Sequence, residues 1–164
     1  MNRSAIQGAA RVAGLLFVGL FAGFLAGVLV LELSLRQFDA SVYTQFQQVA
    51  LVGLPILASV LLLPALIATA VQAILALKTK GRTFWLTAGA LALLLLALVI
   101  TLVVNVPINL DEGGWNIQSP PADWAAVRDR WQVGHAVRTS AALLAFAALA
   151  FAFVQPMADP GRMP

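Results

Sequence analysis

The sequence predicts an all-α fold: an integral membrane four-helix bundle of up-down topology with both termini cytoplasmic. Three observations lead to this. The composition is 61% hydrophobic and only 10% charged, with a mean hydropathy of +0.91, whereas a soluble domain carries about 25% charged residues to keep its surface wet. Four runs free of ionisable residues are each long enough to cross a hydrocarbon layer. The basic residues are also unevenly shared among the loops. The 164 residues suffice for one domain, 1–164, and are too few for two of ordinary size.

A helix needs about 20 apolar residues to cross a core of about 30 Å. The first charge-free run, Val12–Leu31, predicts a span over 10–34. Arg3 and Arg11 before it resemble the basic end of a signal peptide. The apolar run exceeds the roughly 7–15 residues usual there and no small-x-small site follows Leu35, so a retained span is expected. Gly19, Gly23 and Gly27 form a ridge of small residues that allows close helix approach. It suits packing against a neighbouring span, with a homodimer interface as the alternative.

The second run, Ala40–Leu77, begins with the polar stretch Ser41–Gln48 and so leaves room for one helix, 49–77, bent by Pro55 and Pro64. The third span, 84–106, is the most apolar. Twelve Leu, Ile or Val lie between Leu86 and Val104, each favouring insertion by roughly 0.3–0.6 kcal/mol. A loop over 107–131, broken by Gly113-Gly114 and Pro120-Pro121, leads to a fourth span over 132–155. Arg3 and Arg11, and then Lys78, Lys80 and Arg82, occupy segments without an acid. The positive-inside rule therefore places both termini in the cytoplasm and loop 107–131 outside, and the expected location is a bacterial inner membrane.

Composition also excludes several function classes. Without cysteine there is no disulfide, thiolate metal site or thiol nucleophile. No basic stripe interleaved with aromatics points to nucleic acid. One histidine cannot build a three-His or His/Cys metal centre or a bis-His haem within a chain. No cofactor or metal is therefore expected, a single-His haem or a His135–Glu32 metal site being the alternatives.

The polar residues gather at the outer face. Glu32 ends the first span, Gln45 and Gln48 precede the second, and Asn105 and Asn109 end the third. On the fourth, Arg128, Trp131, His135 and Arg138 follow one helical stripe. Ionisable groups inside a membrane bundle are costly and mark function, so these residues predict a pocket. The plainer alternatives are an Arg138–Glu32 ion pair at the interface, an aromatic belt of Trp115, Trp124 and Trp131, and Asn105 and Asn109 as helix caps.

The pairing of Asn105-Val106-Pro107-Ile108-Asn109 with Trp131-x-x-x-His135-x-x-Arg138-Thr139 resembles the anthrone oxygenase-like family of small four-helix membrane proteins. The resemblance covers nearly the whole chain and includes Glu32 and the glutamine-rich stretch before the second span. Fungal relatives oxidise anthrones to anthraquinones with molecular oxygen, which the resemblance implies as a chemistry here. His135 would then be the base that removes the acidic C–H proton, its reference pKa near 6.5 suiting neutral conditions. Arg138, Asn105 and Asn109 would stabilise the enolate oxygen. Trp131 would stack on a flat ligand, Glu32 would orient the imidazole, and Gln48 would complete the substrate contacts.

The leading expectation is thus a cofactor-independent oxygenase for a lipophilic aromatic or quinone-like molecule reaching the pocket from the bilayer. The competing readings are a non-catalytic membrane scaffold or subunit and a small oligomeric transporter. The position of Glu32 at the end of a span counts against the last, since coupling residues sit near mid-membrane.

Overall fold

The computed structural model describes residues 3–77 and 80–154. Lys78 of the loop between the second and third spans, the Arg3 side chain and Gln155 at the end of the fourth expected span lie outside the described residues. The described residues are all-α, and among them four helices are long and apolar enough to span a membrane. Helix α1 runs Arg3–Ser34 and is followed by a 3₁₀ turn, Leu35–Gln37. Helix α2 covers Ala40–Ala76. The third span is composite: α3 (Arg82–Ile100), a π turn (Thr101–Asn105) and α4 (Val106–Glu112). Helix α5 covers Trp124–Val154.

Three of these elements are longer at the polar end than sequence reasoning expects. Helix α2 starts at Ala40, not 49, because the Asp39 carboxylate accepts the Val42 amide at 3.0 Å and caps it. The polar stretch before the membrane is therefore helix. Helix α5 starts at Trp124, not 132, so the expected loop over 107–131 shrinks to the residues between Glu112 and Trp124. The third span does not end near 106. Pro107 cannot donate to the carbonyl four residues back, and the π turn just before it widens the hydrogen-bond register so that the helix continues through it.

Neighbouring helices run antiparallel, as their terminal contacts show. At one end, Arg11 of α1 donates to the carbonyls of Ala152 and Phe153 of α5 at 2.6 Å each. At the other, Glu32 of α1 meets Gln47 near the start of α2 and Gln132 near the start of α5. The core between these ends joins Val18, Phe21 and Leu25 to Leu62 and Ala65, to Ala90, Leu94 and Ala97, and to Ala141, Ala142, Ala145 and Leu149. Alanine recurs on all four facing surfaces, Ala22 being that of α1, and small residues let helices approach closely in lipid. Large apolar side chains such as Val52, Val103 and Leu110 are exposed and form the surface offered to lipid.

The glycine ridge of α1 divides. A Cβ at Gly19 would come within 2.9 Å of the Phe146 ring, so this glycine serves packing inside the chain. Gly23 and Gly27 meet nothing within 4 Å.

Candidate functional site

At the polar end the four spans are laced together by hydrogen-bonded side chains beside a small apolar cluster. Glu32, 1% exposed, accepts from the Gln47 amide at 2.6 Å and from Gln132 at 3.4 Å. Gln132 also donates to the Glu32 main-chain carbonyl at 2.7 Å, while its own side-chain oxygen accepts from Arg36 at 2.6 Å. Arg36 then pairs with the exposed Asp129 at 2.7 Å. One chain of contacts thus runs from α2 through α1 to α5 and out to solvent or headgroups.

A second network centres on α5. The Trp131 indole N–H donates to Asn109 Oδ1 at 2.6 Å, and the Asn105 amide donates to the Trp131 carbonyl at 3.1 Å. The Trp131 and His135 rings stack with centroids 4.7 Å apart and planes 7° off parallel. His135 is fully buried, with Nε2 2.9 Å from the Leu25 carbonyl. A carbonyl only accepts, so Nε2 carries the hydrogen and Nδ1 presents a lone pair. The Arg138 guanidinium fills it from two nitrogens, Nε at 3.1 Å and Nη2 at 2.7 Å. Its Nη1 donates to Thr101 in the π turn at 3.1 Å, and its plane lies over Trp131 at 5.7 Å.

Between these networks lies a cavity of about 220 Å³. Its polar lining consists of Glu32, Gln47, Ser59, Thr101, Asn109, Trp131 and Arg138, and the rest is apolar, with Phe21, Phe24, Leu54, Leu62 and Leu98 among it. Helical rise orders these residues in depth. Glu32 lies about 16 Å along α1 from Phe21, and Asn109 a similar distance from Leu98, so Glu32, Gln47, Asn109 and Trp131 lie toward one end, while Arg138 and the Thr101 it bonds lie deeper, close to Leu98. Arg138 is 8% exposed and, among the described residues, makes no ion pair. A buried carboxylate and a buried guanidinium therefore face one apolar space without neutralising each other.

The segment 47–148 matches the family model for anthrone oxygenase, well over half of the chain. The chain belongs to the anthrone oxygenase family. Neither a curated protein nor a solved structure matches it. Within the matched anthrone oxygenase segment fall Gln47, Thr101, Asn105, Asn109, Trp131, Gln132, His135 and Arg138, whereas Glu32 precedes it.

Of the seven residues given site roles from the sequence, Glu32, Asn109, Trp131 and Arg138 line the cavity. The other three do not. His135 does not line the cavity; both its ring nitrogens are engaged, Nε2 by the Leu25 carbonyl and Nδ1 by Arg138. Its side-chain partner is Arg138, and among the described residues no hydrogen bond joins it to Glu32. Asn105 is fully buried and ties the π turn to α5, its Oδ1 without a partner. Gln48 points away from the cavity and donates to the Trp115 carbonyl at 2.8 Å, holding the loop after α4. Its neighbour Gln47, a rotation of about 100° around the helix, is the glutamine that reaches the cavity.

Sequence reasoning also missed a buried pair at the same end. The fully buried Tyr43 donates to the fully buried Glu112 at 2.7 Å, next to Trp124, Trp115 and Val127. Trp115 is 8% exposed and belongs to this cluster, not to a lipid-facing belt. The signal was faint: Glu112 looked like a loop residue until α4 carried it back over α2. Among the described residues no three His, Cys, Asp or Glu side chains gather as a metal set would.

Proposed function

We propose that this anthrone oxygenase family member is a cofactor-independent membrane oxygenase for a lipophilic aromatic substrate bound in the polar-ended cavity. One observation carries the proposal: Glu32 and Arg138 line the same apolar space, both buried, and unpaired with each other. A base and a cation held apart suit a carbon acid whose negative charge develops on a distant oxygen.

Glu32 takes the methylene proton of an anthrone. Its carboxylate has acceptor capacity beyond the one short bond from Gln47 and the long one from Gln132. The electron pair left behind delocalises onto the ring carbonyl, forming an enolate whose oxygen faces Arg138. A preorganised donor aimed at developing charge in a dry site is worth far more than one in water. The electron-rich enolate then passes an electron to dioxygen, and the two radicals combine into a C–O bond. Glu32 returns its proton to the distal oxygen, giving a hydroperoxide. Loss of the second methylene hydrogen with cleavage of the O–O bond releases water and leaves the new carbonyl. Trp131, held by Asn109 and backed by His135, supplies a flat wall for the rings. The loop after α4 lies outside in this reading, and the termini lie in the cytoplasm of a bacterial inner membrane.

A second reading has its own support. The same polar side chains hydrogen-bond across all four spans, so they would fix helix register in a scaffold without chemistry. Oxygen uptake by the purified protein in lipid nanodiscs, with an anthrone as substrate, separates the two. Glu32→Gln should lower kcat by about 10²–10⁴, the usual worth of a positioned base. Arg138→Gln should lower it by about 10²–10³, as loss of an oxyanion donor does. No protein-dependent uptake, or uptake unchanged by either substitution, favours the scaffold.

A further inference from the structure

The cavity is not sealed by the bundle. Among its lining residues, Pro55, Ser59 and Leu63 of α2 and Leu102 of the π turn belong to the outer surface, Leu63 and Leu102 being 56% and 57% exposed. A residue that both lines a cavity and faces outward marks an opening, and this one lies sideways, between α2 and the third span. Ser59 falls near the midpoint of the helix Ala40–Ala76. The opening therefore looks into the hydrocarbon layer, not toward water or headgroups.

Local chemistry explains why the wall is open here. Pro55 and Pro64 each remove a helical hydrogen bond, and on the facing span the π turn interrupts the regular register. Two irregular helices face each other over the same stretch and pack more sparsely than the other neighbouring pairs. A shallow apolar groove continues from the opening along the outside of α2, lined by Pro55, Ile56, Ser59, Val60, Leu63 and Pro64. Cavity and groove share Pro55, Ser59 and Leu63.

We infer that the ligand is an aromatic head carrying a hydrocarbon tail, with the head at Arg138 and Glu32 and the tail leaving through this opening into the groove. The inference rests on the cavity reading of the preceding section and names the substrate class more narrowly. Size supports it. The cavity of about 220 Å³, its opening included, falls below the roughly 300–1,000 Å³ of sites that enclose a whole drug-sized molecule. A small ring system fits inside, and a chain attached to it does not. Polarity agrees, since six of the seven polar lining residues lie at the head end or beside Arg138, and the opening offers only Ser59, whose hydroxyl is already donated to the Pro55 carbonyl at 2.9 Å. A ligand with a second polar end would leave that end in hydrocarbon.

The test uses the full chain in nanodiscs and an anthrone bearing a long alkyl chain that ends in a photoreactive diazirine. After irradiation, peptide mapping should place adducts on residues 55–64 and around Leu102. Leu63→Trp, which narrows the opening from a lipid-exposed position, should reduce those adducts about tenfold, a change of about 1.4 kcal/mol in occupancy. Leu144→Trp, on the exposed face of α5 and away from the cavity, should leave them unchanged. Excess tail-free anthrone should compete with the probe. Adducts spread over α5 and α2 alike, or insensitive to Leu63→Trp, overturn the side path. If tail-free anthrone is still turned over in that case, only this inference fails. If no anthrone is turned over or competes, the oxygenase reading fails with it.

Discussion

Replacing His135 by alanine separates a positioning histidine from a catalytic one. The imidazole contributes the acceptor for the buried guanidinium, a bond to a charged group worth about 1.5–3 kcal/mol. It also donates to the Leu25 carbonyl, worth about 0.5–1.5 kcal/mol, and stacks on Trp131 for about 0.5–1.5 kcal/mol. His135→Ala should therefore destabilise the protein by roughly 2.5–6 kcal/mol, measured by unfolding in micelles or nanodiscs. Its kinetic effect should act through Arg138. Without its lone-pair partner the guanidinium swings out of place, and kcat for an anthrone should fall by about 10²–10³, as for loss of one oxyanion contact. The double substitution His135→Ala/Arg138→Gln should then be no slower than Arg138→Gln alone, because the contact can be lost only once. Oxygen uptake by the four proteins, corrected for folded fraction, gives the cycle. If the two losses multiply, to about 10⁴–10⁶ in all, His135 acts independently of Arg138 and the assignment of the base to Glu32 is refuted.

Other consequences are open to measurement. Gly134 packs α5 against the π turn, and a Cβ there would lie 2.9 Å from a Val104 methyl, so Gly134→Ala should cost about 1–3 kcal/mol by overpacking and Gly134→Leu should prevent native assembly; an unaltered unfolding midpoint would mean that this contact is not tight. Tyr43→Phe should cost about 1–3 kcal/mol because it leaves Glu112 buried without its donor, and Tyr43→Phe/Glu112→Leu should recover part of that loss in a double-mutant cycle, strict additivity counting against the pairing. Gly19→Ala should destabilise through Phe146 while Gly23→Ala should be neutral or stabilising by up to about 1 kcal/mol. A homodimer through the open part of the ridge would instead show as dissociation on Gly23→Leu or Gly27→Leu, read by crosslinking in nanodiscs.

The number and type of elements were legible in the sequence because a bilayer imposes a length and a polarity that charge-free runs report directly. Family membership was also legible, from two short polar motifs that lie in the matched segment. Helix ends at the polar side were not, since a helix above the membrane needs no apolar run and is set instead by single contacts such as the Asp39 cap. The π turn was equally hidden: Pro107 signals a break, and only the neighbouring hydrogen bonds decide whether the helix stops or reorganises around it.

The candidate site shows the same division. That a carboxylate, two amides, an indole, an imidazole and a guanidinium share one end of the bundle follows from their places along four spans. Which of them faces the cavity does not. A helix turns through about 100° per residue, so Gln47 holds Glu32 while Gln48 holds a loop, and no spacing rule between separate helices tells them apart. His135, the only imidazole and so the first choice from sequence, is removed from the cavity by two hydrogen bonds to groups on α1 and on its own helix. By itself the sequence determined that the chain has four segments long and apolar enough to span a membrane and collects most of its polar groups toward one end. Tertiary packing alone decided that Glu32 and Arg138 share the cavity while His135 stands behind them, because the rotation and depth of each helix are set by contacts with the other three.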